Sequence, residues 1–244
     1  MNQALYTVMS AADKTMAAQA VSSHNLANAS TNGFRADLLN AESLALSGTD
    51  PLSRPGIKGR TVDFTPGALV NTGRDLDVAI QGDGWIAVQA RDGSEAYTRA
   101  GDLHVNTSGV LENANGYMVM GNGGPITLPP AEKLEIGVDG TISIRPLGQT
   151  AATLAVVDRL KLVNPDVGTL VKGPDGLLRT RDGKDAAPDA KVRVSSGSLE
   201  SSNVNAVEEM VRMISLARQF EMQIKMMATA QQDDTATAQI MRLT

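Results

Sequence analysis

The sequence predicts an α+β fold, in which long N- and C-terminal helices form a coiled-coil-like layer and a central, mostly antiparallel β domain lies between them. Two residue distributions lead to this prediction. Nine of the eleven methionines lie within residues 1–16 and 210–241, whereas all five Asp-Gly pairs lie between Asp83 and Gly183. Methionine favours helices, and Asp-Gly favours tight turns between strands. The two ends of the chain should therefore differ in structure from its middle.

The N-terminal segment, residues 1–35, is predicted to be helical over residues 3–27 and to end in a hinge. Its apolar side chains recur at alternating spacings of four and three residues, which places them on one face of a helix. Asn32-Gly33 stops the helix, because glycine tolerates the left-handed backbone conformation at a helix end. The predicted assembly stripe of this helix consists of Leu5, Met9, Ala12, Met16 and Leu26.

The middle of the chain is predicted to contain a connector and a β domain. Residues 36–75 are assigned to an irregular connector, because glycine and proline interrupt residues 47–75 closely. One short extended piece is predicted near Thr61–Phe64. In residues 76–194, short apolar runs alternate with turns, which favours a compact antiparallel barrel or sandwich. Asp139-Gly140 separates two such runs and predicts a hairpin with a type I′ turn.

The C-terminal segment, residues 195–244, returns to helix over residues 203–241. Asn205 suits the N-cap, because its side-chain oxygen can accept hydrogen bonds from the free N–H groups of the first turn. Apolar residues then alternate at spacings of three and four residues, the pattern of a coiled coil. The second predicted assembly stripe consists of Val207, Met210, Met213, Ala217, Phe220, Ile224 and Met227.

Each apolar stripe needs a surface to cover it, because an isolated helix with one apolar face is only marginally stable in water. The stripes must pack on each other, on neighbouring molecules, or on both. If neighbouring molecules are required, the terminal segments are partly disordered in the free monomer. If the two helices pair within one chain, they form an ordinary helical subdomain.

Composition argues against several functions. With a net charge of −5 and 3% aromatic residues, the chain lacks the basic surface and the stacking side chains of a nucleic-acid-binding protein. No apolar run is long enough to span a bilayer, and the N-terminus does not resemble a secretory signal. We expect no cofactor and no metal site, since cysteine is absent and the two histidines, His24 and His104, are far apart in sequence.

The absence of cysteine has two possible explanations. It is unremarkable in a cytosolic chain that has no use for thiols. It also suits a chain that must stay extended and unlinked while it enters an oxidising compartment. The cysteine count alone does not separate these explanations.

An enzyme is a remote alternative. A β-domain hydrolase acting on cell-wall glycan would need a paired acid and base in a cleft, and Asp75, Asp77 and Glu95 are the only loose candidates. Arg74 adjoins the two aspartates, which favours a structural role for them at a turn. We therefore expect no catalytic residue and no enzymatic activity.

Several motifs resemble those of bacterial flagellar rod and hook proteins. SSHNLANASTNGFR at residues 22–35 is similar to the N-terminal signature of that family, and SLESSNVNAVEEMV at residues 198–211 is similar to its C-terminal signature. Residues 76–85 and 97–101 resemble its β-domain motifs, and residues 217–225 resemble the proximal-rod type most. The resemblance covers nearly the whole chain. Its signature and hinge positions are Asn25, Asn28, Thr31, Gly33, Phe34 and Arg35.

The resemblance implies a structural subunit of the flagellar basal-body rod, the axial drive shaft that transmits torque from motor to hook. It implies export through the flagellar type III apparatus without a cleaved signal peptide, and a periplasmic location in the rod. The implied partners are copies of the chain and other rod proteins, with no nucleic acid and no membrane insertion. A distal-rod or hook-type protein is the alternative, which the short connector disfavours.

The resemblance also implies that Asn28–Arg35 redirects the chain from the helix to the connector. Gly33 would permit the bend, and Asn25 and Asn28 could bond exposed backbone groups at the helix end. Replacing Gly33 with Val should therefore block rod growth and leave the β domain folded.

Overall fold

The computed structural model describes residues 3–44, 54–146 and 155–243, with side chains described over residues 7–39, 61–146 and 155–232. These residues contain two α-helices, one 3₁₀ turn and seventeen strands, and every strand pairing is antiparallel.

The helices are α1 (Gln3–Ala27) and α2 (Ala206–Leu243), and the 3₁₀ turn covers Val167–Thr169. The strands are β1 (Asp37–Leu44), β2 (Arg54–Val62), β3 (Leu69–Asn71), β4 (Val78–Gln81), β5 (Trp85–Gln89), β6 (Glu95–Thr98), β7 (Leu103–Val105), β8 (Leu111–Asn113), β9 (Met118–Val119), β10 (Ala131–Ile136), β11 (Thr141–Pro146), β12 (Ala155–Arg159), β13 (Leu162–Val163), β14 (Leu170–Lys172), β15 (Leu178–Thr180), β16 (Arg193–Ser196) and β17 (Ser198–Glu200).

The chain divides into two compact units. Among the described residues, the helical unit consists of residues 3–29, 37–44, 54–63 and 204–243. The β unit consists of residues 30–36, 64–146 and 155–203.

Both predicted helices are present, and α2 covers residues 206–243 where residues 203–241 were predicted. α1 covers the predicted residues 3–27, and the N–H of Asn28 closes it by donating to the carbonyl of Asn25. Asn205 precedes α2, and its Oδ1 accepts hydrogen bonds from the N–H groups of Val207 and Glu208, so the predicted N-cap is confirmed. Over the part of the chain that the structure describes, neither helix combines the length and apolar character needed to cross a membrane.

The predicted fold class is wrong in its helical part. Instead of a coiled-coil-like layer, the structure has one pair of helices of 25 and 38 residues, packed on each other within the helical unit, and most of its elements are strands. The contact between the helices is also more polar than predicted. On each helix, two neighbouring rows of residues share the same three-and-four spacing, so the spacing does not identify the buried row. Among the side chains that the structure describes, the buried polar residues of the pair are Thr15, Ser22, Asn25, Glu209 and Gln223.

The helical unit also contains a β hairpin. Its strands β1 and β2 lie within residues 36–75, for which the sequence predicts an irregular connector, and Asp37 is paired with Val62. Pro55, Gly56 and Gly59 occur in β2. In a ribbon of two strands each strand is an edge, and edge strands tolerate glycine and proline. The breaker residues therefore do not prevent strand pairing.

The β unit is built from one large sheet and three smaller ones. The strand order of the large sheet is β14-β15-β6-β5-β9-β8-β7, with β13 also paired to β5. The smaller sheets have the orders β10-β11-β12, β16-β4 and β17-β3. Among the described residues, no ladder joins β14 to β7, so hydrogen bonding does not close the large sheet into a barrel.

The hairpin predicted at Asp139-Gly140 is present, but its turn is not type I′. A type I′ turn needs positive φ at both central residues, and Gly140 has a φ of 82° whereas Asp139 does not have positive φ. β10 and β11 pair as predicted, and the N–H of Gly137 donates to the carbonyl of Thr141. The hairpin therefore has a longer loop with one left-handed glycine.

One apolar core fills the β unit. Its side chains come from the strands of several sheets, which joins those sheets into one packed body. The fully buried residues of this core include Val78, Ile86, Val88, Leu111, Val119, Ile126, Ile142, Leu160 and Val194.

Candidate assembly site

A buried carboxylate, Glu200 on β17, joins three segments of the β unit. Its side chain is 1% exposed, and its Oε2 accepts a hydrogen bond from Nη1 of Arg99 at 2.9 Å. Its Oε1 accepts a hydrogen bond from the backbone N–H of Gly67 at 2.9 Å and forms an ion pair with Nη2 of Arg35. Glu200 therefore links the N-terminal signature, the residue that follows β6 and the residues before β3.

Both arginines lie against the ring of Trp85. The guanidinium carbon of Arg99 is 5.0 Å from the ring centroid, and that of Arg35 is 5.7 Å from it. Phe64 meets the same ring edge-on, with the two ring centroids 5.9 Å apart. An aromatic face attracts a cation through its quadrupole, so Trp85 partly offsets the loss of water around the two charges. We call Arg35, Trp85, Arg99 and Glu200 the buried clasp.

The charges of the buried clasp do not balance, because two guanidinium groups share one carboxylate. Burial lowers the pKa of the Arg99 guanidinium; Glu200 acts in the opposite direction, and the charge of Arg35 lowers it again. Nε and Nη1 of Arg35 and Nε of Arg99 are buried without a hydrogen-bond acceptor in the described part of the chain. Glu200 is therefore the main group that makes the buried positive charge tolerable.

The last part of the N-terminal signature belongs to the β unit, and we call its residues 30–34 the strap. Gly33 has a φ of 69°, and its N–H donates to the carbonyl of Glu200 at 2.7 Å. A Cβ at Gly33 would lie 2.2 Å from the carbonyl carbon of Arg99. Phe34 is buried, with Nζ of Lys172 3.8 Å from its ring centroid. The expectation that Gly33→Val leaves the β domain folded therefore does not hold, because valine would clash with the backbone of that domain.

The signature residues at the end of α1 form a second cluster, in the helical unit. Asn25 is 1% exposed and pairs with the backbone of Asp37: its Nδ2 donates to the carbonyl at 2.9 Å, and its Oδ1 accepts from the N–H at 2.8 Å. Nδ2 of Asn25 also lies 3.4 Å from Oε1 of Glu209 on α2. Nδ1 of His24 lies 2.9 Å from Oδ2 of Asp37. Asn25 thus connects α1, β1 and α2.

Two further signature residues bond to nearby backbone. Nδ2 of Asn28 donates to the carbonyl of His24 at 2.9 Å, which satisfies one of the free carbonyls at the end of α1. The carbonyl of Thr31 accepts a hydrogen bond from the N–H of Phe34 at 3.3 Å, which closes a tight turn in the strap. Both contacts fix the course of the chain after the helix.

The two assembly stripes divide into shielded and exposed residues. Leu5 lies in α1, but its side chain is outside the described residues. Ala12 is buried, and the half-buried members are Leu26, Met213, Ala217, Phe220 and Met227. The exposed apolar set, as we define it, contains the other members and four neighbours: Met9, Met16, Val207, Met210, Val211, Ile214, Met222, Ile224 and Met226.

Sequence reasoning missed the partners of the signature residues. Glu200, Arg99 and Trp85 all lie inside the motifs that carry the family resemblance, but nothing in the sequence pairs them. Glu209 and Gln223 lie beside apolar stripe residues and give no local sign of burial. The only sequence signal for these contacts is that one motif contains a carboxylate and two other motifs contain arginines.

Two of the three candidate catalytic carboxylates, Asp77 and Glu95, have structural partners. Oδ2 of Asp77 accepts hydrogen bonds from Nε of Arg74 and from the hydroxyl of Thr72, and Oε2 of Glu95 accepts one from Nζ of Lys161. An open pocket of about 820 Å³ lies elsewhere in the β unit, and none of the three candidates lines it. Asp75 and Asp77 line a smaller open pocket of about 350 Å³, but Glu95 does not. Within the described residues, no group of three or more His, Asp or Glu side chains could hold a metal ion.

Comparisons with known proteins match the chain along its length. The family described as "Flagella basal body rod protein" matches residues 5–35, "Flagellar hook protein FlgE/F/G D1 domain" matches residues 79–144, and "Flagellar basal body rod FlgEFG protein C-terminal" matches residues 195–240. The chain is 42% identical to the flagellar basal-body rod protein FlgF of Salmonella typhimurium strain LT2 over 251 residues, which covers 100% of both sequences. The chain belongs to the flagellar basal-body rod protein family.

Other relatives agree with this membership and with its FlgF type. The chain is 44% identical to FlgF of Escherichia coli K12, with 97% of the chain and 96% of that protein covered. Against the rod protein FlgG of Agrobacterium fabrum, identity is 34% and only 68% of the chain is covered. The resemblance to rod proteins is confirmed. The chain is a structural rod protein and not an enzyme.

Replacing Glu200 with Gln should lower the free energy of unfolding of the β unit by about 3–5 kcal/mol, because two buried guanidinium charges would lose the carboxylate that pairs with both of them. Urea unfolding followed by the fluorescence of Trp85, the single tryptophan, measures this loss. Glu135→Gln is the matched control, because it breaks an exposed ion pair with Lys133 and should leave stability nearly unchanged. Equal losses in the two variants would contradict the role of the buried clasp.

Replacing Asn25 with Ala should destabilise the helical unit by about 2–3 kcal/mol, because it removes the hydrogen-bond partners of both backbone groups of Asp37. Asn28→Ala removes one hydrogen bond at a half-buried site and should cost about 1 kcal/mol. Thermal unfolding followed by helical circular dichroism compares the two variants. If the Asn25→Ala protein unfolded at the same temperature as the wild type, Asn25 would not connect α1, β1 and α2.

Proposed function

We propose that the chain is a structural subunit of the proximal rod of the flagellar basal body, and that it assembles there through the exposed apolar set of α1 and α2. One observation supports the proposed assembly surface: large apolar side chains remain exposed on both helices, while polar side chains occupy buried positions between them. Similarity to FlgF proteins over the whole chain supports the place in the rod.

The helix pair is held together by specific polar contacts. Nε2 of Gln223 donates to Oγ1 of Thr15 at 3.0 Å, and Asn25 reaches Glu209 at 3.4 Å. Buried polar side chains of this kind fix the register of two helices and cost stability relative to an apolar contact. The polar contacts therefore give the pair its alignment, and most of its large apolar side chains are left for another surface.

The exposed apolar set can provide the driving force for assembly. A valine, isoleucine or methionine side chain contributes about 1.5–3 kcal/mol when it is fully removed from water. Several such side chains along two helices amount to an interface core, even after the entropic cost of association. The matching surfaces are those of neighbouring copies and of other rod proteins.

A rod also needs an interface that repeats without closing. Head-to-tail contacts between different patches of neighbouring subunits produce open helical assemblies, whereas self-complementary contacts produce closed pairs. Contacts spread along two long helices would distribute torque over many side chains. The subunit would then transmit rotation from motor to hook as part of the axial drive shaft.

The proposal includes a route and a location. The chain would pass through the flagellar type III export apparatus and assemble in the periplasmic part of the rod. The absence of cysteine supports this route, because no thiol can form a disulfide when the extended chain enters an oxidising compartment.

A double variant, Met210→Glu with Ile224→Glu, should abolish motility and remove the protein from isolated basal bodies, because charges in a buried interface are costly. Both residues are exposed in the free chain, so circular dichroism and thermal unfolding of the purified variant should match the wild type. Labelled-antibody electron microscopy of basal bodies measures incorporation.

Val156→Glu provides the control for this experiment. Val156 is also exposed, but it lies on β12 of the β unit, and the substitution should leave motility intact. Normal incorporation of the Met210→Glu, Ile224→Glu variant would contradict the proposed assembly surface.

A further inference from the structure

Among the side chains that the structure describes, the methionines of the two helices fall into two groups by exposure. Five are exposed, whereas two others on α2 are half-buried in the helix pair, and one of these, Met213, accepts a hydrogen bond from the hydroxyl of Ser23 at 3.6 Å. Met227 is the other half-buried residue. The exposed side chains, with their exposed fractions, are Met9 at 50%, Met16 at 55%, Met210 at 45%, Met222 at 57% and Met226 at 51%.

These five side chains differ chemically from the rest of the exposed apolar set. Valine and isoleucine are inert to mild oxidants, but an exposed methionine thioether reacts with hydrogen peroxide. The sulfur attacks one peroxide oxygen, an S–O bond forms and the O–O bond breaks. The sulfur loses two electrons, and the second peroxide oxygen leaves as water after it takes the proton of the transferred oxygen. The product is a polar sulfoxide.

We propose that Met9, Met16, Met210, Met222 and Met226 form an oxidation-sensitive site that controls whether a free subunit can assemble. This inference rests on the proposed function, because it requires the exposed apolar set to be the assembly surface. A sulfoxide oxygen buried against apolar side chains has no hydrogen-bond donor, which weakens association by about tenfold for each buried sulfoxide. In an assembled rod, the same sulfurs are covered and protected from the oxidant.

The first measurement uses the purified full-length chain treated with dilute hydrogen peroxide. Peptide mass spectrometry over time gives the oxidation rate at each methionine. The five exposed helical methionines should gain oxygen faster than Met213 and Met227. If Met213 and Met227 were oxidised as fast as the five exposed methionines, the assignment of the site would be overturned.

The second measurement uses co-sedimentation of untreated and peroxide-treated chain with a purified FlgG-type rod protein from the same bacterium. Treatment should reduce binding by at least about tenfold, because one or more sulfoxides would be buried. The helical circular dichroism of the treated chain should remain unchanged. A loss of binding that accompanies a loss of helix would overturn the inference, since damage to the fold would then explain it.

Two variants separate the site from general oxidation. A variant with leucine at all five positions keeps apolar side chains there and should bind equally before and after peroxide treatment. Met118→Leu is the matched control, because Met118 is 40% exposed but lies on β9 of the β unit; this variant should lose binding after treatment, as the wild type does. Peroxide sensitivity in the five-leucine variant would overturn the inference.

The same assay distinguishes the two proposals. If the untreated chain does not bind, the proposed assembly surface fails, and the oxidation site fails with it. If untreated and treated chains bind equally, the assembly surface stands and only the oxidation site is overturned.

Discussion

The arrangement of the β unit depends on the carboxylate of Glu200. Two guanidinium groups, from Arg35 and Arg99, are buried beside it, and each would be strongly destabilising without a nearby negative charge. Because Arg35 belongs to the N-terminal signature and Glu200 to the C-terminal signature, this contact joins parts of both signatures within the β unit. The buried clasp explains in physical terms why a structural protein carries such specific motifs at distant positions.

The helical unit follows a different principle. Its two helices are aligned by buried polar contacts such as that between Thr15 and Gln223, while much of its large apolar surface faces solvent. The two explanations for the apolar stripes are therefore compatible: the helices pair within one chain and still leave apolar side chains for neighbouring molecules. The proposed assembly would bury the apolar side chains that the helix pair leaves exposed.

Sequence reasoning succeeded where the signal is local. The span of α1 and the cap at Asn205 follow from residue spacing and from hydrogen bonding within a single turn. Sequence reasoning failed where spacing does not determine which residues are buried. Gln223 is an example, because its row on α2 has the same spacing as the apolar row beside it. The buried clasp could not be predicted either, because an ion pair between distant segments does not change the residue spacing within either segment. The hairpin of β1 and β2 was missed because a two-stranded ribbon tolerates glycine and proline.

Native-state hydrogen exchange at the amides of Gly33 and Gly67 tests the central role of Glu200 most directly. Both N–H groups donate to this residue, Gly33 to its carbonyl at 2.7 Å and Gly67 to its Oε1 at 2.9 Å. If the clasp holds both segments on the core, these amides will exchange only through global unfolding, as slowly as the amide of Val88 in β5. Exchange at the rate of an unprotected loop would contradict this account.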